Sequence, residues 1–320
     1  MNQFSAKINK RTIGIVTIDV EPDNVWRNTH SKSLRNINEL PNFHKICKEF
    51  GVRPTYFVCW SVANDDNCKK ILLDLLNQGD CEIGIHPHLW EIPPLISQDS
   101  SKIAWTGPDY STEILEAKLT SIFNLISSNF GIPLSHRAGR WGIDERQVDI
   151  LTNLGIKYDS SILPGIDWSK TGILDHTKAP LNSYFMDKNN ICLPGISSLL
   201  EVPCTIKPGI NLGSIGKIKY INRIFNKFGL GSKWLRASPV TNISDLLSIC
   251  KWAKINMEHI NIMSHSSEFM NEGSPYWETE IDIKNHFSYY KKIFGWWKKN
   301  GIEPMTISEY GQNHKLKNNC

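Results

Sequence analysis

The sequence has no run of the roughly 18 to 20 apolar residues that a membrane-spanning helix needs. Its opening residues, MNQFSAKINKRT, carry basic side chains but lack the apolar segment of an export signal. A soluble, cytoplasmic chain with no membrane insertion is therefore expected. No charge of one sign dominates either: 36 basic against 32 acidic side chains leave a formal +4, too little to imply a nucleic-acid or anionic-membrane partner. The eight cysteines include no C-x-x-C pair. Several lie in apolar runs such as TYFVCW, so buried free thiols in a reducing cytoplasm are expected. Internal repeats and low-complexity tracts are also lacking.

What is present is enough apolar material, 40% of 320 residues, to bury a large core. One pattern recurs along it: an amphipathic run ends near a glycine, and a short β-branched or aromatic run follows. The joints are Gly51 before VRPTYFVCW, Gly79 before DCEIGIH, Gly131 before IPLSHRAG, Gly155 before IKYDSS and Gly301 before IEPMTIS. Glycine closes the last turn of a helix in the left-handed conformation without a Cβ penalty, so each joint reads as a helix feeding a strand. With TIGIVTIDV at the start and HINIMS late in the chain, the alternation predicts a parallel α/β barrel. The stretch from about Gly165 to Gly231 interrupts the rhythm with a single clear strand, SLLEVPCTI, and reads as an irregular excursion over the barrel mouth or a small inserted subdomain. After Gly311 the lysine- and asparagine-rich tail is expected to fray.

Each expected strand is apolar along its length and polar at its C-terminal end: TIDVEPD, GIHPHLWE, SHRAGRWG, KYDSS and IMSHSSE. Those ends converge on one face of an α/β barrel, where residues distant in sequence can share a pocket. Asp19 and Glu21 stand at i and i+2 and share a strand face. One of two such carboxylates can bind a metal while the other remains free as a base. His86 and His88 have the same spacing around Pro87, which ends the strand. One carboxylate and two neutral imidazoles form a donor set typical of catalytic zinc or a similar divalent ion. His265 would face the same mouth, where its titration near neutrality suits it to protonate a leaving amine. Asp159 is expected to orient it, and Arg137 to pair with the base carboxylate. Arg140 is a candidate for either task or for a contact to substrate.

These motifs, in this order, resemble the NodB-homology domain of the carbohydrate esterase family 4 polysaccharide deacetylases. The resemblance runs over roughly Thr12 to Tyr310 and is weakest in the excursion. It matches TIDVE to the family's carboxylate motif, with Asp19 as base and Glu21 as metal ligand. It matches EIGIH to the histidine motif at His86, HRAGRWG to the arginine motif at Arg137, YDSS to the aspartate motif at Asp159, and INIMSH to the general-acid histidine, His265. The implied fold is a deformed (β/α)7 barrel forming one catalytic domain over 1–320. The implied cofactor is a divalent metal, usually Zn2+, and the implied reaction is removal of an N-acetyl or other N-acyl group from a sugar, with the variant motifs similar to deacetylases of bacterial surface-polysaccharide assembly. Three departures stand out. The D-x-E spacing leaves Asp23 as a second candidate beside Glu21, Trp90 occupies the place of the usual second histidine so that either His88 substitutes or one ligand is missing, and RAGRW lacks the usual proline. Trp90, Trp141 and Trp105 are candidates for stacking on a sugar ring. Two other readings remain: a hydrolase of cyclic amides or small N-acyl compounds, and a sugar-binding relative without catalysis.

Overall fold

The computed structural model describes residues 11–27, 31–96, 105–209, 231–239 and 241–318, with side chains to 314. The expectations for the first ten residues, for Cys320 and for 210–230 of the excursion lie outside the described residues.

Strand β1 (Ile13–Val20) is buried at every position, as a strand with both faces covered must be. Its two faces have different company. Ile13 and Ile15 join Phe57, Tyr158, Leu200 and Val202 in one cluster, while Val16, Ile18 and Val20 belong to the large cluster beneath the helices. Successive side chains of a strand point to opposite faces, so the odd positions fill the inside of a curled sheet and the even ones pack outward.

In chain order the remaining strands are β2 (Thr55–Val58), β3 (Glu82–Ile85), β4 (Ser135–His136), β5 (Tyr158–Asp159), β6 (Tyr184–Phe185), β7 (Leu200–Glu201), β8 (Ile206–Lys207), β9 (Lys233–Trp234), β10 (His259–His265) and β11 (Glu303–Pro304). Neighbours along the path β10-β1-β2-β3-β4-β5-β7 are all parallel. The sheet curls until the Thr205 backbone N–H donates to the Asn261 carbonyl of β10 at 3.0 Å. Seven parallel strands thus curl around a common interior, a barrel as the alternation predicts and seven-stranded as the resemblance implies. The deformation lies between β5 and β7, where residues 160–199 form no α-helix and β6 pairs antiparallel with β7.

The helices are α1 (Leu40–Glu49), α2 (Trp60–Ala63), α3 (Asp66–Leu76), α4 (Thr112–Phe130), α5 (Glu145–Asn153), α6 (Ile243–Asn256), α7 (Glu280–Asn300) and α8 (Ile307–Asn318). All five expected joint glycines have positive φ, between 66° and 93°. At the other end of α7, Thr279 and Asp282 form a reciprocal capping box that satisfies free N–H groups of the first turn.

Three expectations are corrected. The excursion is not wholly external, because its SLLEVPCTI segment supplies β7, a wall of the barrel. The segment after Gly301 gives only the two-residue β11, which pairs with Ile13 and Gly14 below the start of β2. The tail does not fray at Gly311: α8 continues to Asn318. Among the described residues no helix is long and apolar enough to cross a membrane, and the described cysteines are free.

Candidate active site

The inward face of β1 reads Ile13, Ile15, Thr17, Asp19 and, one step past the strand, Glu21. The barrel interior is therefore apolar at its base and carboxylate-bearing at its mouth. On β3 the inward register Glu82, Gly84, His86 continues to His88 across Pro87, and on β10 it reads His259, Asn261, Met263, His265. Gly84 has a steric reason: a Cβ there would lie 2.5 Å from Ser135 Oγ and 2.7 Å from Phe57.

Asp19, Glu21, His86, His88 and His265 line one cleft of about 360 Å³ at this mouth. Ligand atoms of Glu21, His86 and His88 lie within 4.8 Å of one another. His86 Nδ1 donates to the Arg137 carbonyl at 2.8 Å; because a carbonyl can only accept, the neutral ring keeps its lone pair on Nε2. That nitrogen is 3.9 Å from Glu21 Oε2, and His88 Nε2 is 3.3 Å from it. Glu21 Oε1 is buried with no hydrogen-bond partner. Burial pushes the Glu21 carboxyl up to about 7, against the pull of His265 and His86. Burial also lowers His86 and His88 to about 4. Two neutral imidazoles facing an underserved carboxylate fit a divalent cation. Asp23 is placed elsewhere: it accepts from Ser33 Oγ and from both the backbone and side chain of Asn36. A second grouping, Cys59, His88 and Glu91, shares His88 with the first, but burial keeps the Cys59 thiol protonated.

Asp19 stands beside this group with a different partner. Arg137, fully buried, donates from Nη1 to Asp19 Oδ1 at 2.8 Å, from Nη2 to Thr17 Oγ1 and Ser160 Oγ, and from Nε to the Ser160 carbonyl. Burial would raise the Asp19 carboxyl, but Arg137, with His86 and His265, holds it below the ordinary value. The two carboxylates of TIDVE thus differ in proton affinity.

His265 Nε2 lies 3.8 Å from Asp19 Oδ2, and its Nδ1 lies 3.7 Å from Glu268 Oε2. Glu268 also accepts from Arg236, from Ser264 Oγ and from the His265 backbone N–H. Burial opposes the charged ring, but Glu21 and Glu268 outweigh it and hold His265 above the usual histidine value. Trp26 packs edge-on against the ring at 4.7 Å.

Asp159 is not brought to His265. It lies on the outward face of β5, between the inward Tyr158 and Ser160, where it meets His136 Nδ1 at 2.5 Å and accepts from Ser161. Neighbouring Glu201 is held protonated by burial and by the Asp159 charge. The period-2 alternation of KYDSS says that Tyr158 and Asp159 face opposite ways, but not which of them faces inward. Glu268, which occupies the expected orienting place, was visible only as the last letter of SHSSE. Arg236, beyond the excursion, had no sequence signal.

Aromatic rings form much of the rest of the cleft, among them Trp26, Trp90, Trp105, Trp141, Trp234 and Tyr276. Trp90 stacks on His88 at 4.4 Å and meets Trp105 edge-on at 5.0 Å. Arg140 and Trp141 reach the cleft from consecutive left-handed backbone positions, with φ of 54° and 60°. For non-glycine residues such a conformation costs on the order of 1–3 kcal/mol each. The exposed stacking of Arg140 over Trp105 at 4.3 Å offsets only about 0.5–1 kcal/mol of that.

No family model matches the sequence, and no curated protein matches it. Solved structures do match in fold. A Mycobacterium smegmatis structure assigned as a polysaccharide deacetylase has a TM-score of 0.61 at 14% identity, over 98% of this chain and 93% of that one. A Parabacteroides distasonis structure assigned as a glycoside hydrolase/deacetylase has a TM-score of 0.55 at 10% identity, over 95% and 71%. The 4-alpha-glucanotransferase of Thermococcus litoralis has a TM-score of 0.53 at 14% identity, over 94% of this chain and 40% of its own length.

Proposed function

From a chain with the NodB-type deformed (β/α)7 barrel of these polysaccharide-deacetylase structures, we propose a divalent-metal-dependent hydrolase that removes an N-acetyl or other N-acyl group from a sugar. The observation that carries the reading is the grouping of Glu21, His86 and His88 beside an arginine-held Asp19, with His265 facing them across the cleft. Glycosyl transfer, the activity named for one structure of similar fold, uses a pair of carboxylates about the glycosidic bond. Here one carboxylate is grouped with two neutral imidazoles, which favours metal-assisted acyl hydrolysis. Zinc suits this nitrogen and oxygen donor set.

When bound, the cation supplies Lewis acidity to the acyl carbonyl and to water. The chain's own residues handle the protons. Asp19, kept ionised by Arg137, accepts a proton from the attacking water. His265, kept cationic to higher pH than an ordinary histidine, gives a proton to the leaving nitrogen, without which an amide does not release its amine. Trp90 and Trp141 offer ring faces to the sugar. A precursor or polymer of the bacterial surface is the substrate we favour.

Acetate release from N-acetylated sugars, measured with the metal content of the same preparation, tests the reading. His88→Ala should lose metal and turnover together while circular dichroism remains that of the parent. Full metal retention in that variant would overturn the ligand set, and a fully loaded parent inactive on every N-acyl sugar would overturn the function.

A further inference from the structure

Arg140 is the one cationic side chain at this mouth for which the described residues offer neither an ion pair nor a hydrogen bond. Arg137 is held by Asp19, Thr17 and Ser160, and Arg236 by Glu268. Among the described residues Arg140 meets only ring faces: its guanidinium lies 4.3 Å from the centre of Trp105 and 5.6 Å from that of Trp90. A guanidinium stacked on rings keeps its N–H edge free, and that edge forms a planar fork matching a carboxylate or phosphate.

The backbone adds an independent observation. Arg140 and Trp141 take the left-handed conformation that glycine adopts freely, yet the glycines stand on either side, at 139 and 142. Those glycines answer to space: a Cβ at Gly139 would come 2.6 Å from the Pro87 carbonyl oxygen, and one at Gly142 would come 2.5 Å from Thr106 Cγ2. Trp141 packs from its strained position against Trp234 and the cluster around Leu163, whereas Arg140 is exposed and holds its strained backbone with no such packing. The acid nearest in effect, Glu21, is grouped with the two histidines.

We propose that Arg140, stacked on Trp90 and Trp105, is an oxyanion subsite, and that the sugar processed in this cleft carries a negative charge, as a carboxylate or a phosphate ester, beside the ring bearing the N-acyl group. This rests on the deacetylase reading for the reaction but not for the binding. Recognition of the anion orients the sugar over the tryptophans and selects acidic over neutral N-acyl sugars.

The test uses three N-acetylated aminosugar glycosides alike except at one carbon: a neutral hydroxymethyl, a carboxylate and a phosphate ester. Binding is read by quenching of tryptophan fluorescence in the metal-loaded His265→Ala protein, and turnover by acetate release in the parent. Charge-assisted hydrogen bonds of this kind are worth about ten- to a hundredfold in affinity. At least one anionic arm should bind about that much more tightly than the neutral arm, and the preference should shrink with added salt. Preference for the carboxylate arm alone identifies a uronate, and for the phosphate arm alone a phosphorylated sugar. Arg140→Gln should bring the anionic-to-neutral ratio close to one, and Arg140→Lys should leave an intermediate ratio, since it keeps the charge without the fork. Equal binding of all three by the parent, or an anion preference that survives Arg140→Gln, overturns the proposal. Anion-selective binding without acetate release would leave the subsite standing and remove the deacetylase reading.

Discussion

His265 and Asp159 differ in the face on which the backbone sets them, and so in their partners. Glu268 lies within reach of His265 and favours its cationic form, so the proton donor proposed for the reaction is present below the raised pKa and is lost as pH rises through it. Glu268→Gln weakens that support. The alkaline limb of the pH–rate profile should move to lower pH with metal content unchanged, and a profile that stays in place would show that Glu268 does not tune His265. Asp159 belongs to the buried contact with His136. Asp159→Asn should instead lower the free energy of unfolding by on the order of 2 kcal/mol, as loss of a buried hydrogen bond to a charged group does, while the pH profile of turnover keeps its shape. Denaturant titration beside the pH profile separates the two variants. A shifted limb with unchanged stability in Asp159→Asn would mean that Asp159 acts on the proton donor after all.

Two glycines of similar appearance answer to different elements. Gly14 lets the Trp297 ring of α7 lie against β1, where a Cβ would meet it at 2.6 Å. Gly14→Ala overfills that junction and should cost about 1–3 kcal/mol of stability, read from the denaturation midpoint. Gly139 lets the turn after β4 rest on the HPH segment, where a Cβ would come 2.8 Å from His88 Cδ2 as well as striking the Pro87 carbonyl. Gly139→Ala should displace His88 and weaken divalent-cation binding more than tenfold, because metal ligands tolerate little misplacement, with a smaller loss of stability than Gly14→Ala. Unaltered cation affinity in Gly139→Ala would show that the turn can yield without moving His88.

For the whole molecule, the grouped donors make stability depend on pH and cation together. The Glu21 carboxyl titrates at about 7 in the metal-free chain, against 4.5 for the ordinary group. An acid with a raised pKa supports the fold below its unfolded value and withdraws that support as pH rises through the folded one. The metal-free protein should therefore lose stability between about pH 4.5 and 7 from this group. A cation binds the ionised form, so its affinity should climb with pH up to about 7 and then level off, with proton release at pH 6 and almost none at pH 8. His86 and His88, at about 4, enter only in stronger acid. Calorimetry in buffers of different ionisation enthalpy measures the released protons, and the melting temperature should rise with cation concentration. Equal proton release at both pH values would remove Glu21 from the ligand set.

The sequence alone determined whatever depends on local chemistry and period. Five glycines ended helices because only glycine is unstrained at their φ. TIDVE and HPH set their side chains on one face because strand residues alternate. The polar ends of apolar strands met at one mouth because parallel strands align their C-termini. Tertiary structure decided what depends on contacts between distant segments. Two-residue strands such as β5 give the eye too short a pattern to fix a face, so Asp159 read as a site residue although it points outward. Asp23 remained a competitor of Glu21 on paper until Ser33 and Asn36 claimed it. Arg236 reached Glu268 only through the closing of the barrel, and the Arg140 edge that the described residues leave without a partner depends on a strained turn that holds it over two tryptophans from elsewhere in the chain.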